Sequence, residues 1–412
     1  MREFDEIVVG GGIAGLYYAY ELSKKEPNKK LIIFEKDEIW GGRIQTNYFK
    51  FEKKSYQIET GAGRFNQNHK LLIQLIKELG FQKQIIPIPS KTTFHPTYPL
   101  QHYDANKIMN RVRIFSLKDK TSDQDEMTYL QYSRKVLTPN EIKFLKDSFG
   151  YTSELTQTNA RYAIHLFFLD FRPNIQFYVL QKGFSQIIVK LTEYLKKTGY
   201  KMNLKSELKD IEYDGESYKC EVYKNGKMEK YITKKLILAV PKPTLMKMRI
   251  LRSLDLQSIE CIPLLRYYSI YPKEEDGKVW FDDLSKTTTN HGLRYIIPVN
   301  KETGMIMVSY TDGFFAKKMQ KRIEKKEDEE YIEKGLEKLF PQKEISNPIL
   351  TKKYYWPCGE GLWKKNTDYN TISKNILQPF SHQSLFIIGE NYSLHQGWIE
   401  GALSTAHAIL SK

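Results

Sequence analysis

Cysteine is scarce in this sequence, and its few copies stand far apart. Among 412 residues only Cys220, Cys261 and Cys358 are cysteines. None of them forms the CxxC spacing of zinc or redox sites, so the sequence predicts neither a metal site nor a disulfide framework. Because free thiols are typical of reducing surroundings, we expect a reducing compartment such as the cytoplasm.

Long apolar runs are absent as well. The segments LIIF, LILAV and LFIIG are far too short to cross a bilayer. The first residues, MREFDE, carry both signs of charge and lead directly into a strand, which predicts no signal peptide. We therefore expect a cytoplasmic protein without a membrane span. For a viral chain, the virion or the host cytoplasm would be the corresponding location.

The chain also lacks any clustered run of basic residues, although Lys and Arg exceed Asp and Glu by 64 to 49, a net charge of +15. Scattered basic residues indicate a solvated surface, so we expect no nucleic-acid partner. A positive field of this kind attracts anions and zwitterions that expose a carboxylate.

What the sequence does contain is a phosphate-binding unit at its start. A strand at residues 7–9 precedes a GxGxxG turn and a helix, and a second strand, LIIF, ends at an acidic residue. The glycines allow a tight turn, close approach of the backbone and close helix packing, while the acidic residue accepts hydrogen bonds from ribose. This pattern predicts dinucleotide binding by Gly10, Gly12, Ile13, Ala14, Gly15, Glu35 and Lys36.

A second glycine motif, EKDEIWGGRIQT, follows at once. Gly42 permits close approach of a ligand, and Arg43 can pair with phosphate. With this motif the chain resembles the flavin-dependent amine oxidase superfamily, in which the same segment supports the FAD pyrophosphate. The resemblance covers most of the chain and is strongest over residues 7–65 and 385–407. It implies FAD as the cofactor.

The segment ETGAGRF places an arginine after a glycine turn. In the superfamily this turn passes along the flavin ring, so Gly61, Ala62 and Gly63 would be flavin-adjacent backbone. The L-amino-acid oxidase and tryptophan monooxygenase branches carry an arginine here that grips the substrate carboxylate, and Arg64 matches it. A guanidinium binds a carboxylate through two hydrogen bonds. The alternative is an Arg64 that bonds FAD phosphate or a neighbouring carbonyl.

The segment LFIIGENYSLHQGWIEGALSTAHAIL is similar to the closing FAD segment of the superfamily. A helix beginning here would direct its positive end at the flavin and stabilise charge that develops on reduction. The resemblance implies a substrate cage of Trp398 and Trp363, although Trp363 can equally be core. The residues that the resemblance implies at the FAD are Gly389, Glu390, Gly397, Trp398, Ile399 and Ala402.

Two further positions bear on catalysis and cofactor attachment. Arg266 stands where most amine oxidases carry the lysine that holds a water at flavin N5, and Leu208 matches a residue whose backbone meets the adenine. Monoamine oxidases attach FAD to a cysteine at the place of Leu362, while Cys358 is displaced from it. We therefore expect non-covalent FAD. Ile296 and Ile297 occupy the region of a clamp-supporting tyrosine.

These observations predict an α/β fold with two domains. We expect a Rossmann-like FAD-binding domain of the GR2 type with a parallel sheet, formed by residues 1–85, 178–247 and 375–412. Residues 86–177 and 248–374 would form an α+β substrate-binding domain on an antiparallel sheet, with a helical lid.

The predicted activity is oxidative deamination of an amine or L-amino acid, with hydride transfer to flavin N5 and reoxidation by O2 to hydrogen peroxide. Two alternatives stay open: a desaturase or protoporphyrinogen-type dehydrogenase, and a non-catalytic flavin-binding protein. The partners are then a small amine or amino acid and O2. The sequence leaves the oligomeric state open, a homodimer included.

Overall fold

A computed structural model describes residues 2–381 and 383–410 of the chain. The strands, in chain order, are β1 Arg2–Val9, β2 Leu31–Phe34, β3 Thr46–Phe51, β4 Lys54–Glu59, β5 Phe65–Asn66, β6 Ile85–Ile88, β7 Thr93–Phe94, β8 Phe177–Leu180, β9 Lys201–Asn203, β10 Ser206–Tyr213, β11 Tyr218–Lys224, β12 Lys227–Leu238, β13 Ile259–Ile270, β14 Thr287–Thr288, β15 Tyr295–Asn300, β16 Met305–Asp312, β17 Leu350–Trp363 and β18 Leu385–Ile387.

The α-helices are α1 Ile13–Lys25, α2 Lys70–Glu78, α3 Ala105–Lys118, α4 Asp123–Glu126, α5 Tyr129–Ser133, α6 Pro139–Ser148, α7 Ser153–Thr156, α8 Ala160–Asp170, α9 Ser185–Lys197, α10 Lys242–Leu245, α11 Gly313–Lys325, α12 Asp328–Leu339, α13 Tyr369–Leu377 and α14 Ile399–Ala408. Short 3₁₀ turns lie at Gln82–Gln84, Arg249–Leu251 and Leu256–Ser258. In the described part of the chain, no helix combines the length and apolarity that a bilayer crossing requires.

The first sheet has a parallel centre in which β18, β12, β1, β2 and β9 lie in that order. The first half of β12 instead pairs with β11, which extends the sheet as an antiparallel meander through β10. All four residues of LIIF are buried, as expected for a parallel strand covered on both faces. Successive residues alternate: Ile33 joins the core under α1, α9 and α14, whereas Ile32 joins the opposite core.

The second sheet is largely antiparallel and has the order β17, β13, β16, β15, β14, β7. Helices α11 and α12 cover one face of it, where Ala316, Met319 and Leu336 pack against Leu265 and Val308. The central strand β13 pairs with β16 on one side and with β17 on the other. This sheet forms one wall of the cavity described below.

Smaller elements complete the structure. Strands β3 and β4 form a hairpin, and β5, β8 and β6 form a three-stranded sheet. Helices α3, α5, α6 and α8 share a separate core that includes Val112, Phe144 and Phe167. The predicted mixture of a parallel and an antiparallel sheet is confirmed, while the division into two domains and the lid stay predictions.

The cysteines depart from the expectation that no disulfide forms. Cys261 on β13 and Cys358 on β17 are joined, with their Cα atoms 4.8 Å apart, and Cys220 is a buried free thiol. The two cysteines are 97 residues apart in sequence, but antiparallel pairing makes their strands neighbours. Sequence spacing could not show this contact, so the prediction that the cysteines form no disulfide framework missed this pair.

Candidate active site

A cavity of about 1000 Å³ lies along the carboxyl ends of the parallel strands. It opens where β1, β2, β12 and β18 end, and the residues that follow these strands line it: Gly10, Glu35, Ala239 and Ile388. Ligands of open parallel sheets bind at this edge, where backbone N–H groups and helix N-termini converge. The volume is at the upper end of the range for small-molecule sites.

The three glycines of the first turn have different physical roles. A Cβ on Gly10 would lie 2.2 Å from the Ala239 carbonyl oxygen, and a Cβ on Gly15 would lie 2.2 Å from the Gly10 carbonyl oxygen. Both positions therefore exclude side chains to allow packing. A Cβ on Gly12 would meet only the Gly41 carbonyl oxygen, at 4.0 Å. Gly12 thus keeps a surface of the cavity open at the start of α1, which suits a phosphate.

Glu35 closes β2 with a buried carboxylate that the backbone holds. One oxygen accepts a hydrogen bond from the Gly11 N–H at 2.7 Å and the other from the Asp37 N–H at 2.9 Å. Each carboxylate oxygen has a second lone pair, so Glu35 can still accept from ribose hydroxyls. Lys36 and Leu208 also line this end of the cavity, and Lys36 pairs with Asp37 at 2.8 Å.

Glu390 joins the N-terminal and C-terminal motifs in the middle of the cavity. It accepts a charge-assisted hydrogen bond from Arg43 at 2.7 Å and further bonds from the N–H groups of Gly361 and Gly397, both at 2.8 Å. Arg43 also donates to the Gly359 carbonyl at 2.9 Å. Since Arg43 keeps unused N–H groups, it can pair with a phosphate while Glu390 fixes its position.

Helix α14 begins at the cavity and directs its N-terminus into it. Gly397, with φ of +79°, turns the chain before Trp398, which is the residue that precedes the helix. Ile399 and Ala402 in the first turns line the cavity. The unpaired N–H groups there provide a positive end that stabilises negative charge on a bound ligand. This geometry agrees with the predicted FAD contacts, which stay a prediction.

The glycines of ETGAGRF permit close packing of protein against protein. A Cβ on Gly61 would lie 2.0 Å from the Arg43 carbonyl oxygen, and one on Gly63 would lie 2.9 Å from the Glu59 Cβ and 3.1 Å from Arg266 Nη1. Gly61, Ala62 and Gly63 also line the cavity. The turn is therefore packed between Arg43 and Arg266, and its other side faces the cavity.

Arg64 is half-buried at the far end of the cavity, among aromatic rings. Its Nη2 donates to the Tyr151 hydroxyl at 3.0 Å, and its guanidinium lies 4.7 Å from the Phe177 ring and 5.6 Å from the Trp398 ring. Among residues 2–381 and 383–410, no carboxylate forms an ion pair with it. A guanidinium with one neutral hydrogen-bond partner retains donors for an incoming anion.

Arg266 also reaches the cavity, but its head is partly occupied. Nη1 donates to the Glu59 carbonyl at 2.9 Å, and the guanidinium lies 4.7 Å from the Tyr310 ring. Trp356 lies on β17, the strand that pairs with the β13 strand of Arg266, and donates its ring N–H to the Thr60 carbonyl at 2.6 Å. Both residues therefore fix the segment that leads into the ETGAGRF turn.

Several carboxyls beside the cavity hold their protons more tightly than usual. Burial raises the pKa of Glu59 to about 7. Burial, followed by the charge of Asp312, raises the pKa of the Glu154 carboxyl, and burial raises the pKa of Glu360 well above its usual range. Burial, followed by repulsion from Arg64, lowers the pKa of Lys286 to about 7. Of these four residues, Glu154 and Glu360 line the cavity itself, and Glu59 and Lys286 do not. Shifted pKa values of this kind are frequent at functional sites.

Trp363 requires a correction. Its side chain is fully buried, its ring N–H donates to the Ser393 carbonyl at 3.2 Å, and it packs against Tyr369 and Tyr392. It does not line the cavity, so it cannot form a cage with Trp398. The core alternative describes Trp363 better. The tryptophan that shares the cavity with Trp398 is Trp356, seven residues earlier.

A cluster beneath Trp398 has the composition of a metal site. The ligand atoms of His69, Asp170 and His395 lie within 4.8 Å of one another. However, His69 Nδ1 accepts from the Asn66 N–H at 3.3 Å, so a neutral ring carries its proton on Nε2, 3.5 Å from Asp170. His395 Nε2 lies 3.0 Å from the same carboxylate. His69 Nε2 has no hydrogen-bond partner in the described part of the chain, whereas Asp170 accepts from the Asn66 side chain at 2.7 Å. A neutral His69 whose Nδ1 accepts and whose Nε2 is protonated has no lone pair for a metal ion, so this arrangement does not support a metal centre.

The structure brings nearly all the sequence-predicted site residues together. Gly15 packs beneath the phosphate turn and Trp363 lies in the core. The predicted residues that line the cavity are Gly10, Gly12, Ile13, Ala14, Glu35, Lys36, Gly42, Arg43, Gly61, Ala62, Gly63, Arg64, Leu208, Arg266, Gly389, Glu390, Gly397, Trp398, Ile399 and Ala402.

Sequence reasoning missed the residues that belong to no motif. Tyr151, Glu154 and Tyr310 reach the cavity from an irregular segment, from α7 and from β16. Trp356 and Glu360 reach the cavity from β17. No local pattern marks them, since only the packing of distant elements places them at the cavity.

Comparison with known proteins agrees with this geometry. The profile of the flavin containing amine oxidoreductases matches residues 13–408. The chain belongs to this family. A flavin cofactor is therefore implied, and the open Gly12 surface, the Glu35 carboxylate and the Arg43–Glu390 pair fit a flavin dinucleotide.

Individual relatives differ in what they act on. The chain is 23% identical to uncharacterized protein R188 of Acanthamoeba polyphaga mimivirus, over 100% of this chain and 94% of that protein. An L-amino-acid oxidase of Mus musculus is 42% identical over 18% of this chain and 11% of its own length. A coproporphyrinogen III oxidase of Staphylococcus aureus is 33% identical over 19% and 16%.

The fold has a full-length counterpart among solved structures. A provisionally named protoporphyrinogen oxidase from Exiguobacterium sp. 255-15 superposes with a TM-score of 0.72, covering 100% of this chain and 98% of that chain at 13% identity. At this identity the similarity establishes the fold. The chain is thus a flavin-containing oxidoreductase family member with this mixed α/β fold.

Proposed function

We propose that the protein is an FAD-dependent amine oxidase that oxidatively deaminates a small L-amino acid. The observation that carries this proposal is Arg64, a guanidinium at the far end of the cavity whose hydrogen-bond partner is the neutral Tyr151 hydroxyl. A carboxylate is the ligand that best satisfies such a group, because two parallel N–H donors match two oxygens.

The described residues would hold FAD without a covalent bond. Gly12 and the start of α1 would bind the pyrophosphate together with Arg43, Glu35 would bind ribose, and the N-terminus of α14 would face the flavin. Position 362 is a buried leucine, which has no thiol. Cys358 is already bonded to Cys261, so it supplies no free thiol either. Bound FAD would supply a two-electron acceptor for hydride from the substrate Cα.

Arg64 and its aromatic neighbours would orient the amino acid. Tyr151 fixes one edge of the guanidinium, and the rings of Phe177 and Trp398 flank it. With the carboxylate fixed there, the Cα–H bond can point along the cavity towards the Gly61–Gly63 turn. Holding the reacting atoms in one geometry accounts for much of the rate in such reactions.

Glu154 is the residue we assign to the substrate proton. An amine donates hydride readily only when it is neutral, so an ammonium must first lose a proton. Glu154 lines the same end of the cavity, and its ionised form, which the raised pKa makes the minor form at neutral pH, is a stronger base than an exposed glutamate carboxylate. The resulting imine hydrolyses to a 2-oxo acid and ammonia, and O2 as final electron acceptor yields hydrogen peroxide.

The rival activity, oxidation of a large apolar ring substrate, has weaker support here. A dinucleotide fills most of a cavity of about 1000 Å³, which leaves room for a small molecule. The remaining end holds Arg64, Arg266 and Glu154, a polar set that would leave charges unsatisfied against an apolar substrate. These properties favour an amino acid, and the two-domain arrangement with a helical lid belongs to the same proposal.

Arg64→Ala tests the proposed carboxylate clamp. We expect kcat/KM to fall at least about 100-fold for an L-amino acid and at most about threefold for the amine that lacks its carboxylate, since a bidentate charged bond is worth about 3 kcal/mol. Arg252→Ala removes the same charge from an exposed position outside the cavity and serves as the control. Equal losses for both substrates would contradict the clamp.

A further inference from the structure

We infer that the Cys261–Cys358 disulfide is a second redox centre, which accepts two electrons from the reduced flavin. The inference rests on the flavin binding of the proposed function, but not on the identity of the substrate. One half of the disulfide, Cys358, lines the cavity that would hold the cofactor.

A β-bulge places Cys358 at the cavity wall. Ile262 pairs with Glu360 and Leu264 pairs with Trp356, so the three residues 357–359 of β17 stand opposite the single Pro263 of β13. Cys358 is the central residue of this bulge. Bulges bend a strand and redirect a side chain, and they are frequent beside active sites.

The neighbours of Cys358 place it along the path of the bound dinucleotide. On one side the Gly359 carbonyl accepts from Arg43, which belongs to the phosphate motif. On the other side Trp356 donates to the Thr60 carbonyl, directly before the Gly61–Gly63 turn. The disulfide therefore lies on the cavity wall between the phosphate motif and the end that holds Arg64, so a dinucleotide that extends from Gly12 towards Arg64 would pass it.

The disulfide is partly accessible. Both cysteines are half-buried, and the adjacent Pro357 is exposed. A purely internal disulfide would have no path for exchange with outside thiols, whereas access governs thiol–disulfide exchange. Glu360 lies two residues further along β17, lines the cavity, and holds a proton because burial raises its pKa well above the usual range. It is the proton donor that we assign to the opening disulfide.

Reduction of the disulfide to two thiols would take two electrons and two protons. The S–S bond accepts the two electrons and the proton that reduced FADH⁻ gives up, and a second proton comes from solvent through Glu360. The S–S bond breaks, Cys261 and Cys358 become thiols, and FAD is left oxidised. An external disulfide can then reoxidise the pair by exchange through a mixed disulfide, which yields two external thiols.

The test uses the FAD-loaded full chain without any amine. The flavin is reduced anaerobically by light with EDTA and a deazaflavin, the protein is alkylated with N-ethylmaleimide, and the modified cysteines are located by mass spectrometry. We expect Cys261 and Cys358 to become alkylated at least tenfold faster than in flavin-free protein under the same light. Full bleaching of the flavin with the disulfide intact, or equal rates with and without FAD, would overturn the inference.

Electron counting gives a second, independent readout. Wild type should take up four electrons per flavin in an anaerobic titration, and the C261S/C358S double variant should take up two. C220S keeps the pair and should again take up four. Uptake of two electrons by wild type would overturn the inference. Because no amine is present, failure here is distinguishable from failure of the amine oxidase activity. That activity can be assayed separately in the same disulfide variants.

Discussion

The two ends of the cavity are built by different means. The phosphate end is made of backbone: glycine turns, helix N-termini and strand ends supply the N–H groups, and Glu35 and Glu390 hold that backbone in place. The substrate end is made of side chains from separate elements, with Arg64, Tyr151 and Trp398 meeting there. The first end therefore depends on local sequence, and the second depends on how distant elements pack.

Gly12→Val tests the phosphate end and should have the largest effect. Because Gly12 faces open space, the new side chain would fill the phosphate position without straining the fold. We expect FAD affinity to fall about 100-fold or more, which corresponds to about 2.7 kcal/mol, with the melting temperature of flavin-free protein unchanged. Fluorescence titration with FAD measures the affinity.

Gly15→Val is the matched comparison within the same turn. Its Cβ would collide with the Gly10 carbonyl oxygen, so this variant should lower the melting temperature of flavin-free protein itself. The distinction between an open and a packed glycine would be wrong if Gly12→Val bound FAD normally, or if both variants lost stability equally.

The two tryptophans should separate packing from function. Trp363→Phe leaves a void and an unpaired Ser393 carbonyl, so we expect the free energy of unfolding to fall by about 2 kcal/mol, with kcat/KM within twofold of wild type. Trp398→Phe should lower kcat/KM about tenfold with a smaller loss of stability, because Trp398 lines the cavity. Urea unfolding and steady-state kinetics compare them. A larger loss of kcat/KM for Trp363→Phe than for Trp398→Phe would place Trp363 at the active site.

Tyr151→Phe examines the support of the clamp. Loss of the hydroxyl removes the hydrogen bond to Arg64, and a hydrogen bond to a charged group is worth about 1.5 kcal/mol or more. We expect the KM of an L-amino acid to rise about tenfold while the KM of the corresponding plain amine stays constant. A matching rise for both substrates would show that Tyr151 shapes the pocket without supporting the clamp.

Substitution of Glu59 should give the smallest effect, a change in how the free energy of unfolding depends on pH. Its folded pKa of about 7 lies above the ordinary value of 4.5. Between these values the unfolded chain releases a proton that the folded protein keeps, so the free energy of unfolding falls as pH rises from about 4.5 to about 7. Glu59→Gln should flatten this fall, as read from melting temperatures at pH 5 and pH 7.5. If Glu59→Gln left the pH dependence of the melting temperature unchanged, the raised pKa of Glu59 would be contradicted.

The contrast between the two ends also explains what the sequence could predict. The turn with Gly10, Gly12 and Gly15 follows a buried strand and opens a helix, so its geometry is encoded within about 30 residues. Arg64 was found because it stands beside another glycine turn. Tyr151, Glu154 and the Cys261–Cys358 pair were not found, since no local pattern shows which distant strands and loops become neighbours. Trp363 was misplaced for the same reason.

An anaerobic absorbance titration tests the central claim most directly. Purified protein is mixed without oxygen with a series of L-amino acids, then with polyamines, while the flavin bands are followed. The account predicts bands close to those of free FAD, bleaching by an L-amino acid, and their return in air with formation of hydrogen peroxide. Bound flavin that no amino acid or amine bleaches would contradict the proposed oxidase, and absence of flavin would contradict the assignment of the phosphate end as well.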